Sequence, residues 1–315
     1  MASAVVFAYH NVGVRCLSVL LAQGVDVKLV VTHEDAAGEN IWFGSVRTFA
    51  QERGIPVITP ADPHEPQIFQ RIAAVEPDFL FSFYYRFMLK PAILQVPKRG
   101  AFNMHGSLLP KYRGRVPTNW AVIKGETETG ATLHEMVEKP DAGRIADQMA
   151  VPILPDDTAQ DVFGKVLVAA EIVLHRTLLA LIAGTAKLSP MDLMKGSYFS
   201  GRKAEDGRID WTQPASEIHN LVRGVTHPYP GAFSDLDAGR LIVWKTLLTN
   251  RRAAGSPALL VEGDNLFARC SDQTLLHIMT ADLDGKPLDA ANFRARFGER
   301  LPLRPTSTTN QALAS

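Results

Sequence analysis

Gly100-Ala101-Phe102-Asn103-Met104-His105-Gly106-Ser107-Leu108-Leu109-Pro110 begins as a short apolar strand and ends in a polar turn. Side chains two residues apart leave a strand on the same face, so Asn103 and His105 point to one side. A hydrogen-bond donor and a proton carrier can then share one cleft. Further along, Asp141-Ala142-Gly143 brings a carboxylate that could hold the His105 ring and favour its protonated form. Such a trio suits acyl-type transfer to an amine.

Outward from this stretch, strand and helix signals alternate. Residues 5–8, 27–32, 56–59 and 78–83 read as strands, and 14–23, 45–53 and 66–75 as helices, with Gly24 and Gly54 as stops. The alternation predicts an α/β fold, a mostly parallel Rossmann-like sheet with helices on both faces. Residues 100–105 supply its next strand and leave Asn103 and His105 at the carboxyl end, where open α/β sheets bind their ligands. Strand character at 129–136 and 145–153, then a long apolar-periodic helix over 159–182 closed by Gly184, complete a first domain at residues 1–188.

Periodicity is lost after that helix, so 189–204 reads as a linker with the boundary near Arg202. A helix over 214–225 follows, then short β-type runs at 232–236, 241–247, 258–262, 266–270 and 274–280. They predict a smaller OB-like β-barrel domain at 205–305. The polar stretch 306–315 reads as a flexible tail.

Composition narrows the function classes. With 33 basic and 33 acidic residues in 315, no global field draws the molecule to nucleic acid or an anionic membrane. Cys16 and Cys270 lie far apart, form no metal-type cluster and suit a reducing compartment. The first residues, Met1-Ala2-Ser3-Ala4-Val5-Val6-Phe7, lack a basic region and a full apolar core, so they read as a first strand of a cytoplasmic protein. No membrane-inserted span, internal repeat or signal for oligomeric state is read. After the first strand stands Tyr9-His10-Asn11-Val12-Gly13 rather than G-x-G-x-x-G, so NAD is not expected. P-loop, zincin and nucleophile-elbow motifs are also missing, and no histidine has metal-type spacing.

The segment 103–110, followed by Arg113-Gly114 and Asp141-Ala142-Gly143, closely resembles the 10-formyltetrahydrofolate-dependent formyltransferases. Within that family, Val5-Val6-Phe7-Ala8-Tyr9-His10, Phe81-Ser82-Phe83-Tyr84-Tyr85-Arg86, Lys111-Tyr112-Arg113-Gly114-Arg115 and Gly125-Glu126-Thr127-Glu128-Thr129-Gly130 are most similar to the ArnA-type branch. Members of that branch formylate UDP-4-amino-4-deoxy-L-arabinose for lipid A modification and polymyxin resistance. The likeness runs from the first strand to about Trp244 and includes Pro228-Tyr229-Pro230-Gly231-Ala232-Phe233. ArnA-type proteins also carry an NAD-dependent decarboxylase half for which this chain leaves no length, so that activity is not expected here.

The resemblance implies that Asn103 donates to the developing oxyanion, His105 moves the proton and Asp141 pairs with His105. It assigns Phe87, Met88, Leu89, Arg115 and the wall Val137, Glu138, Lys139, Pro140 and Asp141 to 10-formyltetrahydrofolate. Tyr84, Tyr85 and Arg86 could stack or hydrogen-bond a nucleotide sugar, and the basic loop with Lys111 and Arg113 suits its anionic part. The nearest rival is methionyl-tRNA formyltransferase, which shares the plan but must hold RNA. From Glu205 onward there are twelve Lys and Arg against thirteen Asp and Glu, so the basic footprint RNA requires is missing. Other nucleotide amino sugars, hydrolysis of the formyl donor by water, and a non-catalytic sensor are the remaining readings.

Overall fold

The computed structural model describes every residue except 36, 37, 39 and 304–315, so the expected tail lies outside the described residues. The chain divides into two compact units. One comprises Met1–Thr118, Glu128–Pro152 and Val162–Gly201. The other comprises Asn119–Thr127, Ile153–Asp161 and the chain from Arg202 onward.

The first unit carries strands β1 (Ser3–Ala8), β2 (Asp26–Val31), β3 (Val57–Ile58), β4 (Phe79–Phe83), β5 (Gly100–His105), β6 (Arg113–Gly114), β7 (Glu128–Glu135), β8 (Ile145–Pro152) and β9 (Tyr198–Phe199). Its main sheet has the order β3-β2-β1-β4-β5-β7-β8. Strands β1 to β5 pair in parallel, whereas β7 and β8 run antiparallel to their neighbours. The mostly parallel expectation therefore holds, with an antiparallel edge. The order reverses between β1 and β4, the place where doubly wound sheets open a crevice.

Helices are α1 (His10–Ala22), α2 (Val46–Gln51), α3 (Pro66–Ala74), α4 (Pro91–Leu94), α5 (Pro117–Ile123) and α6 (Ala159–Ala183). Val5 and Phe7 of β1, Leu29 and Val31 of β2 and Leu80 of β4 share one sheet face, covered by Ile68 and Ile72 of α3 and Ile93 of α4. Val6, Val30, Phe79, Phe81 and Phe83, of opposite parity, are also buried, and α1 packs on β1 and β4. Burial on both faces explains why these strands read as continuous apolar runs rather than alternating ones. Helix α1 starts at His10 instead of residue 14, because its N-cap, Tyr9, makes no side-chain cap bond and so carries no start signal.

An 18-residue window of α6 has mean hydropathy 2.0, enough by length and composition to cross a membrane, yet 44% of it is buried. Val162, Val166, Ala169, Val173, Leu174 and Leu178 are all buried along it, the pattern of a core helix.

The second unit contains α7 (Ala215–Val225) and α8 (Ala290–Phe297) with β10 (Ala232–Leu236), β11 (Gly239–Leu247), β12 (Ala258–Glu262), β13 (Asn265–Arg269), β14 (Leu275–Leu283), β15 (Lys286–Pro287) and β16 (Arg300–Pro302). These strands form a smaller antiparallel sheet of order β10-β11-β14-β13-β12-β16, with β15 paired to β14. Ile218 and Val222 of α7 pack in one core with Trp211, Val243, Ile278 and Phe293. The sequence reading missed α8, β15 and β16. Helix α8 is short and carries Asn292, Arg294 and Arg296, and it stands on Asp289, whose side chain accepts from the Asn292 N–H, and on buried Phe293.

Candidate active site

Asn103 and His105 end β5, and the register sets Asn103 opposite His134 of β7. Cross-strand partners lie within side-chain reach, and here Asn103 Nδ2 stands 3.2 Å from His134 Nε2. His134 Nδ1 lies 2.7 Å from the Glu135 carbonyl, which only accepts, so Nδ1 carries the hydrogen. The neutral ring thus presents the Nε2 lone pair to the Asn103 amide, whose nitrogen keeps a second N–H for another acceptor.

His105 is buried, and its Nε2 lies 2.8 Å from the Tyr112 carbonyl. Since that oxygen cannot donate, Nε2 holds the hydrogen and Nδ1 is the open nitrogen. Nδ1 faces Asp141 Oδ1 at 3.6 Å, and the same oxygen stands 3.5 Å from His134 Nε2. Two imidazoles therefore flank one carboxylate. Asp141 Oδ2 accepts the Gly114 N–H at 2.9 Å. Burial alone would push the Asp141 carboxyl up; His105 and His134 in their protonated forms, together with the Gly114 N–H, outweigh it and hold that carboxyl well below the usual range.

The basic loop 111–115 thus holds His105 and Asp141 through its backbone. Ser107 Oγ donates to the Lys111 carbonyl at 2.7 Å, the Tyr112 N–H donates to Ser197 Oγ at 2.9 Å, and β6 pairs with β9. These bonds fix the carbonyl that holds His105 and the N–H that holds Asp141. The glycine of Asp141-Ala142-Gly143 has a steric reason: a Cβ there would collide with the Glu135 carbonyl oxygen. The turn folds back against the end of β7 and delivers Asp141 with φ of 48°.

A cavity of about 430 Å³ opens beside these groups, within the range of small-molecule sites. Asn103, His105, Asp141, Tyr84, Tyr85, Arg86, Phe87, Met88, Leu89, Arg115, Val137 and Pro140 all line it. Phe87 and Met88 are exposed at 43% and 57%, an apolar rim available to a flat ring. Glu138 and Lys139 are exposed and lie outside the lining, as does exposed Lys111; Arg113 is half-buried and also outside it. Tyr9 and His10, which follow β1, line the cavity with Tyr84, which follows β4, so it spans the point where strand order reverses. His10 and Tyr84 hold φ of 65° and 58°, uncommon for side-chain-bearing residues. Tyr9 Oη donates to Asp35 at 2.6 Å, and the Arg86 guanidinium lies 4.4 Å from the centre of the Tyr9 ring.

Residues 16–178 match the formyl transferase family, and residues 202–298 match the formyl transferase C-terminal domain. The chain belongs to the formyl transferase family. Among solved structures it is similar to an N-formyltransferase from Helicobacter canadensis, in complex with folinic acid and dTDP-3-aminofucose. That match has TM-score 0.70 and 24% identity over 88% of this chain and 99% of the other. It is also similar to WlaRD, a sugar 3N-formyl transferase solved with dTDP and 5-N-formyl-THF, at TM-score 0.70 and 22% identity over 88% and 97%. HypX from Aquifex aeolicus, in complex with tetrahydrofolic acid, gives TM-score 0.60 and 16% identity over 98% of this chain and 50% of that one. At these identities the likeness is one of fold.

The structure of this formyltransferase adds a residue that the sequence reading passed over. His134 lines the cavity and touches both Asn103 and Asp141. Its strand, with Glu128, Thr129, Thr132 and Glu135 also polar, does not mark the ring out, and only the register with β5 gives that ring a partner. Among the described residues no group of three or more His, Cys, Asp or Glu is arranged for a metal ion. Cys16 and Cys270 are buried free thiols, and burial pushes the Cys270 thiol up to about 12, so it stays protonated at neutral pH.

Proposed function

We propose that this formyltransferase moves a formyl group from 10-formyltetrahydrofolate to the amine of a nucleotide-linked amino sugar, UDP-4-amino-4-deoxy-L-arabinose being the first choice. The observation that carries the reading is the convergence of Asn103, His105, His134 and Asp141 on one wall of a cavity with an apolar rim. Phe87, Met88, Leu89 and Val137 fit a flat pterin, and exposed Arg115 fits a carboxylate of the folate tail. The folate supplies the formyl carbon. The sugar is assigned on the ArnA-type stretches at 5–10, 81–86, 111–115 and 125–130. The ligand of the Helicobacter canadensis structure, a dTDP-linked amino sugar, supports the second choice, another nucleotide amino sugar.

In this mechanism Asn103 donates its second amide N–H to the formyl oxygen as negative charge builds there. His134 holds that amide in place through Nε2. As the C–N bond to the amine forms, His105 Nδ1 takes the amine proton, because Nε2 is committed to the Tyr112 carbonyl. Asp141 stabilises the imidazolium so formed. His105 then returns the proton to the departing folate nitrogen, leaving an N-formyl sugar and tetrahydrofolate. We read residues 1–188 as the catalytic part and the smaller sheet at 205–305 as OB-like, in a cytoplasmic enzyme that uses neither NAD nor metal.

The deciding experiment incubates the protein with 10-formyltetrahydrofolate and a panel of UDP- and dTDP-linked amino sugars, and reads a formyl mass increment. Absence of that increment on every sugar, or efficient formylation of initiator tRNA, would reject the assignment.

A further inference from the structure

We propose that His33 and His64 are positioning residues whose rings clasp both ends of the segment Arg86–Lys90, holding Phe87, Met88 and Leu89 as a preformed wall for the formyl donor. The inference rests on the reading of that wall as the folate side of the cavity and adds the two groups that shape it.

Residues 84–90 lie between β4 and α4 and belong to no helix or strand, so no ladder fixes their main chain. Yet Arg86, Phe87, Met88 and Leu89 all line the cavity. Two imidazoles meet this segment. The Arg86 N–H donates to His33 Nε2 at 3.0 Å, and the Lys90 N–H donates to His64 Nε2 at 3.2 Å. Each ring reaches in from elsewhere in the first unit, His33 from just after β2 and His64 from just before α3. The apolar rim is thus bracketed by two side-chain acceptors.

Both rings are themselves held. His33 stacks on Tyr85 with ring centres 4.1 Å apart and planes at 17°, and its centre lies 5.3 Å from that of Phe87, so it supports the wall by contact as well as by accepting. His64 Nδ1 lies 2.8 Å from Asp62 Oδ1, which also accepts the His64 N–H at 2.9 Å. A carboxylate only accepts, so the ring donates from Nδ1 and presents Nε2 as a lone pair. Neither His33 nor His64 lines the cavity, so both act on a ligand through the wall. A segment left loose would have to be ordered at the moment of binding, at a cost in affinity, whereas one fixed beforehand meets a flat ring without that loss.

The test compares the full chain with His33→Phe, His64→Phe and their double variant, which keep an aromatic ring and remove the acceptor. His33→Gln and His64→Gln, whose side-chain oxygen can accept in place of Nε2, serve as the conservative variants. In calorimetry with folinic acid as probe, each Phe variant is expected to weaken binding about 3- to 10-fold and the double variant about 10- to 100-fold. The Gln variants should stay close to wild type. In turnover, the Phe variants should raise KM for 10-formyltetrahydrofolate with kcat nearly unchanged, because the wall is met equally in ground and transition states. Amide hydrogen exchange without ligand should quicken at Arg86 in His33→Phe and at Lys90 in His64→Phe. Unchanged exchange at both amides overturns the clasp, as does a double variant that binds folinic acid as tightly as wild type, or a Gln variant as weak as its Phe counterpart. If exchange quickens as expected but the wild-type protein binds no folinic acid, the clasp stands and the folate reading falls.

Discussion

His134 Nε2 and Asn103 Nδ2 meet at 3.2 Å across the β5–β7 pair. The ring nitrogen fixes the amide, so the donor aimed at the formyl oxygen is oriented before substrate arrives, and preorganised donors of this kind dominate charge stabilisation. Asn103→Ala is expected to cost about 2.7 to 4 kcal/mol in the transition state, a roughly 100- to 1,000-fold loss of kcat. His134→Phe leaves the donor in place but unheld, and should cost roughly 10- to 100-fold. The double variant should be little worse than Asn103→Ala alone, since both act through one amide. Steady-state kinetics of the three proteins checks this, and additive losses would mean that His134 acts on its own.

Asp141 ties the site to acid stability. Its carboxyl in the folded protein lies below the ordinary value, so it contributes stability that is full above about pH 4 and is lost as pH falls towards the depressed folded value. Asp141→Asn should therefore unfold more readily than wild type at pH 6, with the gap closing as pH drops below about 4. Urea unfolding at a series of pH values reads that gap. A gap that stays constant down to pH 2 would show that Asp141 makes no ionic contribution to the fold.

The strand over 100–105, the D-A-G turn and the βα alternation are legible because each is a local pattern, and the apolar runs name the core strands directly. What stays hidden is whatever depends on register or on backbone groups. No spacing rule connects Asn103 with His134, which become neighbours only because β7 runs antiparallel to β5. Nor does Lys111-Tyr112-Arg113-Gly114-Arg115 announce that the Tyr112 carbonyl and the Gly114 N–H hold His105 and Asp141, when its side chains advertise charge. Helix α8 escapes because it is short: Phe293 and Phe297 pack on one core, but eight residues with two arginines make too brief an apolar stripe to read.

Gly106 and Tyr84 form a steric pair at the cavity wall. A Cβ on Gly106 would collide with the Tyr84 hydroxyl and crowd its ring carbon at 3.1 Å. Gly106→Ala should therefore displace Tyr84 and lower kcat/KM, with a smaller effect on thermal stability because the ring borders open space. Tyr84→Phe in the same chain removes the oxygen and should restore part of the lost activity. A double-mutant cycle measures the coupling; strictly additive losses would show that the two positions do not press on one another.

His219 gives the second unit its own response to pH. Its Nε2 lies 3.1 Å from the Pro155 carbonyl, and its Nδ1 lies 2.9 Å from Thr246 Oγ1, so the neutral ring donates once and accepts once. Burial holds it below the ordinary 6.5, and Arg223 pushes the same way, against the Pro155 carbonyl and Asp156. A histidine depressed in the folded state contributes stability that is complete above its unfolded value and is lost as pH falls towards its folded one. Wild type is thus expected to lose stability between pH 7 and pH 5, a window above the one set by Asp141. His219→Gln removes the titrating ring, so its stability should be lower at pH 7 yet flatter across that window. Urea unfolding with hydrogen exchange in α7 reads both, and parallel pH curves for the two proteins would count against His219 as the titrating group.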